Sequence, residues 1–545
     1  MKKKLMPLAV GAAIAAASSA QAQMFINNEG TGEILIFPYY SAESGNTTNV
    51  NITNTTGQGK AVKVRIIEGE NSQEVLDFNV YMSPKDHFSF GISATADGGG
   101  QLVTGDNTCT VPKLTVGTPV AFRNFKYDGD KGKDDPATTD KDESYDNTGI
   151  ARTAVGYIEV IEMGQIDGDV TLDLNDPKTP NDAKDDTNLL AAITHGADGV
   201  PANCDLPVIA WSTGGPWHTE VAGGSKVGTT FMGATWAGGG LYGEATVINV
   251  NDAMAFGTDA VAVDSAVAGT GSQLHYPPGD TQPDFTAAGI VPSATIESDG
   301  ELYDITWTAP AADTSLLAVS SIFQTSVVQN DYVTDPGIAG LTDWILTMPT
   351  KSLHIARYVA EVKDASGNVT TAAVGALDPF SNPWNGQTAC EYATLDSWDR
   401  EESNPPPPLG STPDFSPAPP TPTAELYDLP LCYEVNVIQF GESSAVKNES
   451  LAVGINAELA GTDGWASIDL TYASLTADGK KTVAAHQRGM GDTIFGLPVT
   501  GFAVQTYANN SVNGSGNVAN YAGAYLHKTA TTTSGLTPRG ANDNS

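Results

Sequence analysis

Two runs of carboxylates carry the most evident chemistry in this 545-residue chain. One places Asp128, Asp130, Asp134 and Asp135 within "YDGDKGKDDPATTDKDESYD" (127–146), a segment whose only aliphatic side chain is one alanine. The other places Asp167, Asp169, Asp173 and Asp176 within "DGDVTLDLNDPKTPNDAKDD" (167–186), where Asn175 adds a neutral oxygen. A hard cation such as Ca²⁺ takes about six to eight oxygens at roughly 2.3–2.6 Å from a flexible loop. Aspartates at this spacing offer such a donor set, so Ca²⁺ is the cofactor they suggest. Neither run has EF-hand spacing: in "DGDKGKDDPATT" Gly132 and Lys133 take the fifth and sixth places and Thr139 the twelfth. The plainer alternative is a solvated acidic loop, because such segments cannot bury enough apolar surface to fold alone.

The remaining chemical signals are thinner. "GGGLYG" (238–243) fits GxGxxG formally but precedes the strand-like "EATVINVN", whereas a dinucleotide site follows a strand and opens a helix. A glycine-rich turn is the expectation. His195, His218 and His354 lie in "ITHGADG", "GGPWHTE" and "TKSLHIARY", and no HExxH, GxSxG, Walker A or Cys–His signature accompanies them. Packing or surface roles are expected for them, and the chain reads as a non-enzyme. A hydrolase using carboxylates distant in sequence stays open. Trp211, Trp217, Trp236, Trp307, Trp344, Trp384, Trp398 and Trp465 could stack on sugars, but their spread along the chain favours core packing. Three sequons, at Asn46, Asn51 and Asn54, read as one polar strand face.

Charge and compartment narrow the partners. "MKKKLMPLAVGAAIAAASSAQAQ" has a basic start at Lys2, Lys3 and Lys4, an apolar core over residues 5–17 and a small-x-small site at Ala20-Gln21-Ala22. We expect a signal peptide over residues 1–22 and a mature chain from Gln23. No later stretch approaches the roughly 18 apolar residues of a membrane helix, so no transmembrane segment is expected. Without the three signal lysines, 24 basic residues face 64 acidic ones, a formal charge of −40. Nucleic acid and anionic membrane are poor partners for that surface, and cations are natural ones. Self-repulsion weakens in salt as the Debye length falls to about 3–10 Å. In an oxidising compartment Cys109, Cys204, Cys390 and Cys432 suggest two disulfides. Of three pairings, Cys109–Cys204 and Cys390–Cys432 keep each bridge within one expected domain.

These groups must be positioned by β structure. "ILIFPYY" (34–40), "TNVNITNTT" (48–56), "AVKVRIIEG" (61–69) and "EVLDFNVYM" (74–82) are short Val-, Ile-, Phe-, Tyr- and Thr-rich runs, and Val62, Val64 and Ile66 alternate with Lys63 and Arg65. The expected fold class is all-β: several antiparallel β-sandwich (Ig-like) domains with long acidic and Pro-rich loop insertions. We expect an N-terminal sandwich over 23–212 with acidic loops at 126–150 and 165–190. A central β-rich domain over 213–385 follows, then a C-terminal one over 386–545 with a Pro-rich loop at 404–423. If Cys390 and Cys432 pair, that loop is stapled at its base. "DTNLLAAITHG" (186–196) predicts a helix capped by Asp186 or Thr187 and stopped at Gly196. "NDAMAFGTDAVAVDSAV" (251–267) is ambiguous.

Together "GEILIFPYYSAESGNTTNVNITNTT", "EVLDFNVYMSPKDHF", "GVPANCD", "LTDWILTMPTKSLH" and "GLPVTGFAVQTYANN" resemble a group of exported proteins of marine gammaproteobacteria that includes surface-layer (S-layer) proteins. The resemblance implies an extracellular, cell-surface structural protein that tiles the cell as a two-dimensional lattice of itself and enters biofilm matrix. It implies outer-membrane lipopolysaccharide as a further partner, and it transfers no catalytic residue. No surface-layer-homology anchoring repeat or sorting motif is recognisable. The competing readings are an outer-membrane β-barrel porin and a secreted carbohydrate-binding or hydrolytic protein.

Overall fold

The structure is a computed structural model. It describes residues 23–124, 149–168, 170–173, 186–221, 238–267, 274–307, 314–355, 360–363, 369–372, 378–382, 388–402, 428–448, 450–455, 459–475, 481–483, 485–488, 492–512 and 517–539. The expected signal segment and the Pro-rich loop 404–423 lie outside these residues.

The chain is all-β, with sheets stacked as sandwiches and, among the described residues, antiparallel but for the parallel pair Val435–Phe440 and Ala452–Gly454. The quoted β-branched and aromatic runs form strands Ile34–Ser41, Asn46–Asn54, Gly59–Glu68 and Glu74–Met82. Along Asn46–Asn54 burial alternates, with Thr48, Val50 and Ile52 inward and Thr47, Asn49 and Asn51 outward. Gly59–Glu68 and Val155–Ile166 are instead buried at every position. Their sheet is covered on both faces.

The first sandwich stacks a seven-stranded sheet on a six-stranded one. The seven run in the order Phe25–Ile26, Val261–Asp264, Ile34–Ser41, Val155–Ile166, Gly59–Glu68, Glu74–Met82, Cys109–Val111. The six run Met254–Asp259, Leu241–Asn249, Asn46–Asn54, His87–Ala94, Gly100–Val103, Val120–Ala121. Phe37, Val64 and Ile158 from one sheet meet Ile52, Phe88 and Phe90 from the other. The far face of the seven-stranded sheet carries Ile36, Ile161 and Met163. It is covered by Trp211, Trp217, the helix Thr314–Phe323 and the hairpin Ser293–Ser298/Glu301–Thr306.

The second sandwich pairs two five-stranded sheets. One runs Asp428–Leu431, Glu391–Asp399, Asp463–Asp469, Val327–Val333, Lys528–Ala530. The other runs Ala452–Gly454, Val435–Phe440, Leu341–Thr347, Thr500–Val512, Asn517–Leu526. The halves meet through Tyr39, Ile67, Tyr157 and Phe256 on one side and Ile345, Val435, Val437 and Phe502 on the other. Hydrogen bonds cross with them: Thr347 Oγ1 donates to the Pro38 carbonyl (2.6 Å), Val435 N–H to that of Gly69 (2.9 Å) and Asn46 Nδ2 to that of Val446 (2.9 Å).

Strand pairing ignores sequence divisions at 212 and 385. Leu241–Asn249, Met254–Asp259 and Val261–Asp264 complete the first sandwich, while Val327–Val333 pairs with both Asp463–Asp469 and Lys528–Ala530. The ambiguous segment 251–267 holds two of those strands. The expected helix is present as Leu189–Ile193, but its cap is Asn188, whose side chain accepts from Ala191 N–H. Asp186 and Thr187 cannot cap it, because they belong to strand Asp186–Asn188, paired with Thr171–Asp173. Thr194 takes the C-cap in place of Gly196. Both disulfides, Cys109–Cys204 and Cys390–Cys432, are formed. The second joins the open ends of paired strands Glu391–Asp399 and Asp428–Leu431.

Candidate functional site

Asp128, Asp130, Asp134, Asp135, Asp169 and Asp176 lie outside the described residues. Asp167 follows the long strand Val155–Ile166 and accepts from Gln165 Nε2. Asp173 lies opposite Asp186 in the small two-stranded sheet. Among the described residues no three His, Cys, Asp or Glu side chains are grouped to hold a metal.

A cleft of about 540 Å³ gathers polar side chains that no motif in the sequence announces. Its wall is the turn from Ser83 to Asp86, faced by Asp106, Asn107 and His195. Asp86 Oδ2 accepts from Ser83 N–H (2.9 Å) and Ser83 Oγ (3.3 Å), and Oδ1 accepts from His87 N–H (2.9 Å). His195 Nδ1 lies 3.4 Å from Ser83 Oγ and 3.8 Å from Asp86 Oδ1. A serine, a histidine and a carboxylate thus converge, yet the wiring is not that of a nucleophilic triad. A relay needs the carboxylate on one ring nitrogen and the hydroxyl on the other. Here both meet Nδ1, Ser83 is buried, and its hydroxyl donates to Asp86. Burial raises the Asp86 pKa, against the pull of the Ser83 N–H. The cleft holds a turn beside the Cys109–Cys204 bridge.

Buried charge is concentrated on both faces of the seven-stranded sheet, Lys60, Glu162 and Glu33 on the side of Val62 and Val160, and Arg65 and Glu159 on the side of Ile161. Lys60 Nζ meets Glu162 Oε1 at 2.6 Å, and the other Glu162 oxygen accepts from Gly239 N–H at 2.9 Å. That explains "GGGLYG": Gly239 and Gly240 turn through positive φ (91° and 77°) to enter Leu241–Asn249, so the motif is the expected turn. Beside it Glu33 is pushed up to about 8, first by burial and then by the Glu162 charge. Arg65 bridges Glu74 (2.8 Å) and Glu159 (2.5 Å) at a cavity of about 170 Å³. Lys60 with Glu162 and Arg65 with Glu74 and Glu159 are paired and enclosed, as buried charges must be, and Glu33 accepts from Val267 N–H.

Of the other sequence candidates, His354 is buried against Ser320 (2.6 Å), and His218 is exposed on the short helix Pro216–Val221. The sequon face divides. Asn51 points outward as expected, but Asn46 and Asn54 point inward and spend their amides on the carbonyls of Val446 and Ser83. Trp211, Trp217, Trp307 and Trp344 are core residues. Trp236 and Trp384 lie outside the described residues. Trp398 and Trp465 depart from the core expectation: they stack on each other, centroids 4.2 Å apart, with Trp465 40% exposed.

The feature of greatest extent is an edge. Residues 493–527 contain no Asp, Glu, Lys or Arg, the longest uncharged run in the chain. They build Thr500–Val512 and Asn517–Leu526, and the latter ends its sheet with no strand beyond it among the described residues. One face of the pair packs Phe502, Ala522 and Ala524 against Phe256 of the first sandwich. On the edge strand itself Tyr521 (65%), Tyr525 (45%) and Leu526 (66%) are exposed. A groove of about 590 Å³ runs beside it, lined by Ala524, Leu526, Thr246 and Thr258. An unpaired strand edge of this kind is a template for pairing with another chain.

Comparison with protein-family models, with curated proteins and with solved structures finds no match for this chain.

Proposed function

We propose that this is an exported structural protein of the bacterial cell surface that self-assembles into a layer, aided by divalent cations. The observation that carries the reading is the uncharged, open edge strand Asn517–Leu526 on a chain of formal charge −37. Like-charged copies repel wherever carboxylates face one another. Contact is least opposed where neither copy carries charge, and at this edge the backbone offers hydrogen bonds as well. The two sandwiches joined through an apolar interface suit a stiff tile, and the signal sequence supports export. Ca²⁺ at Asp128, Asp130, Asp134, Asp135, Asp167, Asp169, Asp173 and Asp176 would quench repulsion between tiles. Lipopolysaccharide is the proposed support beneath the layer.

Electron microscopy and sedimentation of the purified protein with and without Ca²⁺ test this. Ordered sheets or higher oligomers are expected with Ca²⁺, and Tyr521→Glu, which adds charge at the edge, is expected to remain monomeric with an unchanged melting temperature. Monomers under every divalent condition would remove the proposal. Assembly that persists after the eight aspartates become Asn would remove Ca²⁺ at those runs and leave the edge in place.

A further inference from the structure

We propose that the outer face of the sheet bearing Trp398 and Trp465 is a binding platform for a neutral saccharide chain, a site independent of whether the chain assembles. The register sets the platform. Trp398 lies opposite Trp465, and Trp465 opposite Asp331, across three adjacent strands. One row along the strands, Asp396 lies opposite Ser467, and Ser467 opposite Gln329. Rows that share a face are about 6.7 Å apart and neighbouring strands about 4.8 Å. The two rows thus make a flat patch about the size of one or two pyranose rings, with aromatic surface in one row and hydrogen-bonding side chains in the other.

The same strands bury Ala393, Leu395, Ala466, Ile468, Val328 and Tyr332 on their inner face. Alternation therefore puts both indoles on the solvent side. Exposing two indoles costs apolar burial, and here they recover part of it by stacking at an interplanar angle of 17°. The stack uses one face of each ring. The other face of Trp465 is left free by the stack, and Trp465 is 40% exposed. Asp331 and Asp396 are exposed, and Gln329 Nε2 makes only a long contact of 3.4 Å to Ser467 Oγ.

The ligand class follows from this chemistry. A pyranose presents axial C–H groups to an aromatic face while its hydroxyls project from the rim, where carboxylates accept and an amide both donates and accepts. An acidic glycan or a nucleic acid would meet Asp331, Asp396 and Asp469 as like charges. Arg400, at the end of the Trp pair, is engaged by Asp463 at 3.1 Å. A quaternary ammonium ion prefers an aromatic cage, and parallel indoles on an open sheet do not enclose one.

The test is tryptophan-fluorescence titration and calorimetry of the full chain with cellohexaose, maltohexaose and a mannan oligosaccharide. A second arm uses delipidated O-polysaccharide, to separate a free glycan from an envelope-bound one. Saturable quenching by at least one probe is expected. Trp465→Ala should weaken it on the order of tenfold, Asp331→Asn should weaken it several-fold, and Tyr521→Ala should leave it unchanged. Melting temperatures of all three should match the parent; if Trp465→Ala alone is destabilised, Asp331→Asn decides. Absence of saturable binding to every probe, binding indifferent to both Trp465 and Asp331, or choline competing as well as the sugars would each overturn the proposal.

Discussion

Glu33 and Asp343 are carboxyls in the wrong solvent. Burial pushes Glu33 to about 8 and Asp343 to about 7, the latter against the hydrogen bonds of Ser444 and Val446. In the unfolded chain such groups ionise near 4. The stabilisation from keeping them neutral is complete below that value and is lost as pH rises through 7 to 8. His275 and His527 act oppositely. Burial lowers them to about 3 and about 4, so their contribution is present above 6.5 and lost as pH falls. Lys351, lowered to about 8 by burial, contributes fully above about 10.5 and loses its effect as pH falls through 8. Between pH 6.5 and 8 the carboxyls therefore act with least opposition. The melting temperature should fall across that window, and Glu33→Gln should flatten its upper half while retaining the bond from Val267 N–H. A melting temperature that rises from pH 6.5 to 8, or an unchanged slope in the variant, would contradict this assignment. None of these shifts was legible in the sequence, because an acidic residue among 64 gives no sign of which is enclosed.

At the scale of elements the two disulfides close loops of unequal length. Cys109 and Cys204 are 95 residues apart, and Cys390 and Cys432 are 42 apart. Loop-closure entropy then assigns about 4–5 kcal/mol to the first and about 4 kcal/mol to the second. Paired Cys→Ser variants should both lower stability in denaturant melts, with the larger loss at Cys109/Cys204; a reversed order would mean that the unfolded-chain argument does not govern here. Elements with strong local signals were readable. The four strands between Ile34 and Met82 fall where β-branched and aromatic runs predicted them. The helix Leu189–Ile193 was readable as an element and misread at its cap, since Asp186 and Thr187 have the right chemistry but pair in a strand. The segment 251–267 mixes Ala and Val at both periods, and only its partner strands make it β.

At the scale of the whole molecule the two sandwiches share an interface of apolar side chains and backbone hydrogen bonds. Unfolding should therefore be one transition, coincident by far-ultraviolet circular dichroism and by fluorescence from Trp217 in the first half and Trp344 in the second. Phe502 is buried at that interface beside Phe256, centroids 6.3 Å apart. Phe502→Ala should cost about 3–5 kcal/mol. Two separated transitions in the parent protein would show that the halves fold independently and would weaken the case for a stiff tile.

The sequence by itself determined the β class and the polyanionic charge, because each depends on composition or on residues near one another; among three cysteine pairings it offered only a preference, and the structure formed the preferred one. Trp398 and Trp465 show what it left open. Their spread along the chain favours core packing, whereas each is in phase with polar neighbours, Asp396 in one strand and Ser467 in the other, and the structure puts both on the outward face. That they touch is a matter of register between strands 67 positions apart, which local pattern does not encode. Lys63 and Arg65 make the same point from the core: alternation set them opposite Val62, Val64 and Ile66, but only tertiary packing buried that second face and supplied Asp77, Glu74 and Glu159 as their partners. Pairing over long distances costs chain entropy that only the assembled sheets repay, so the positions of edge, platform and interface were decided by the tertiary structure.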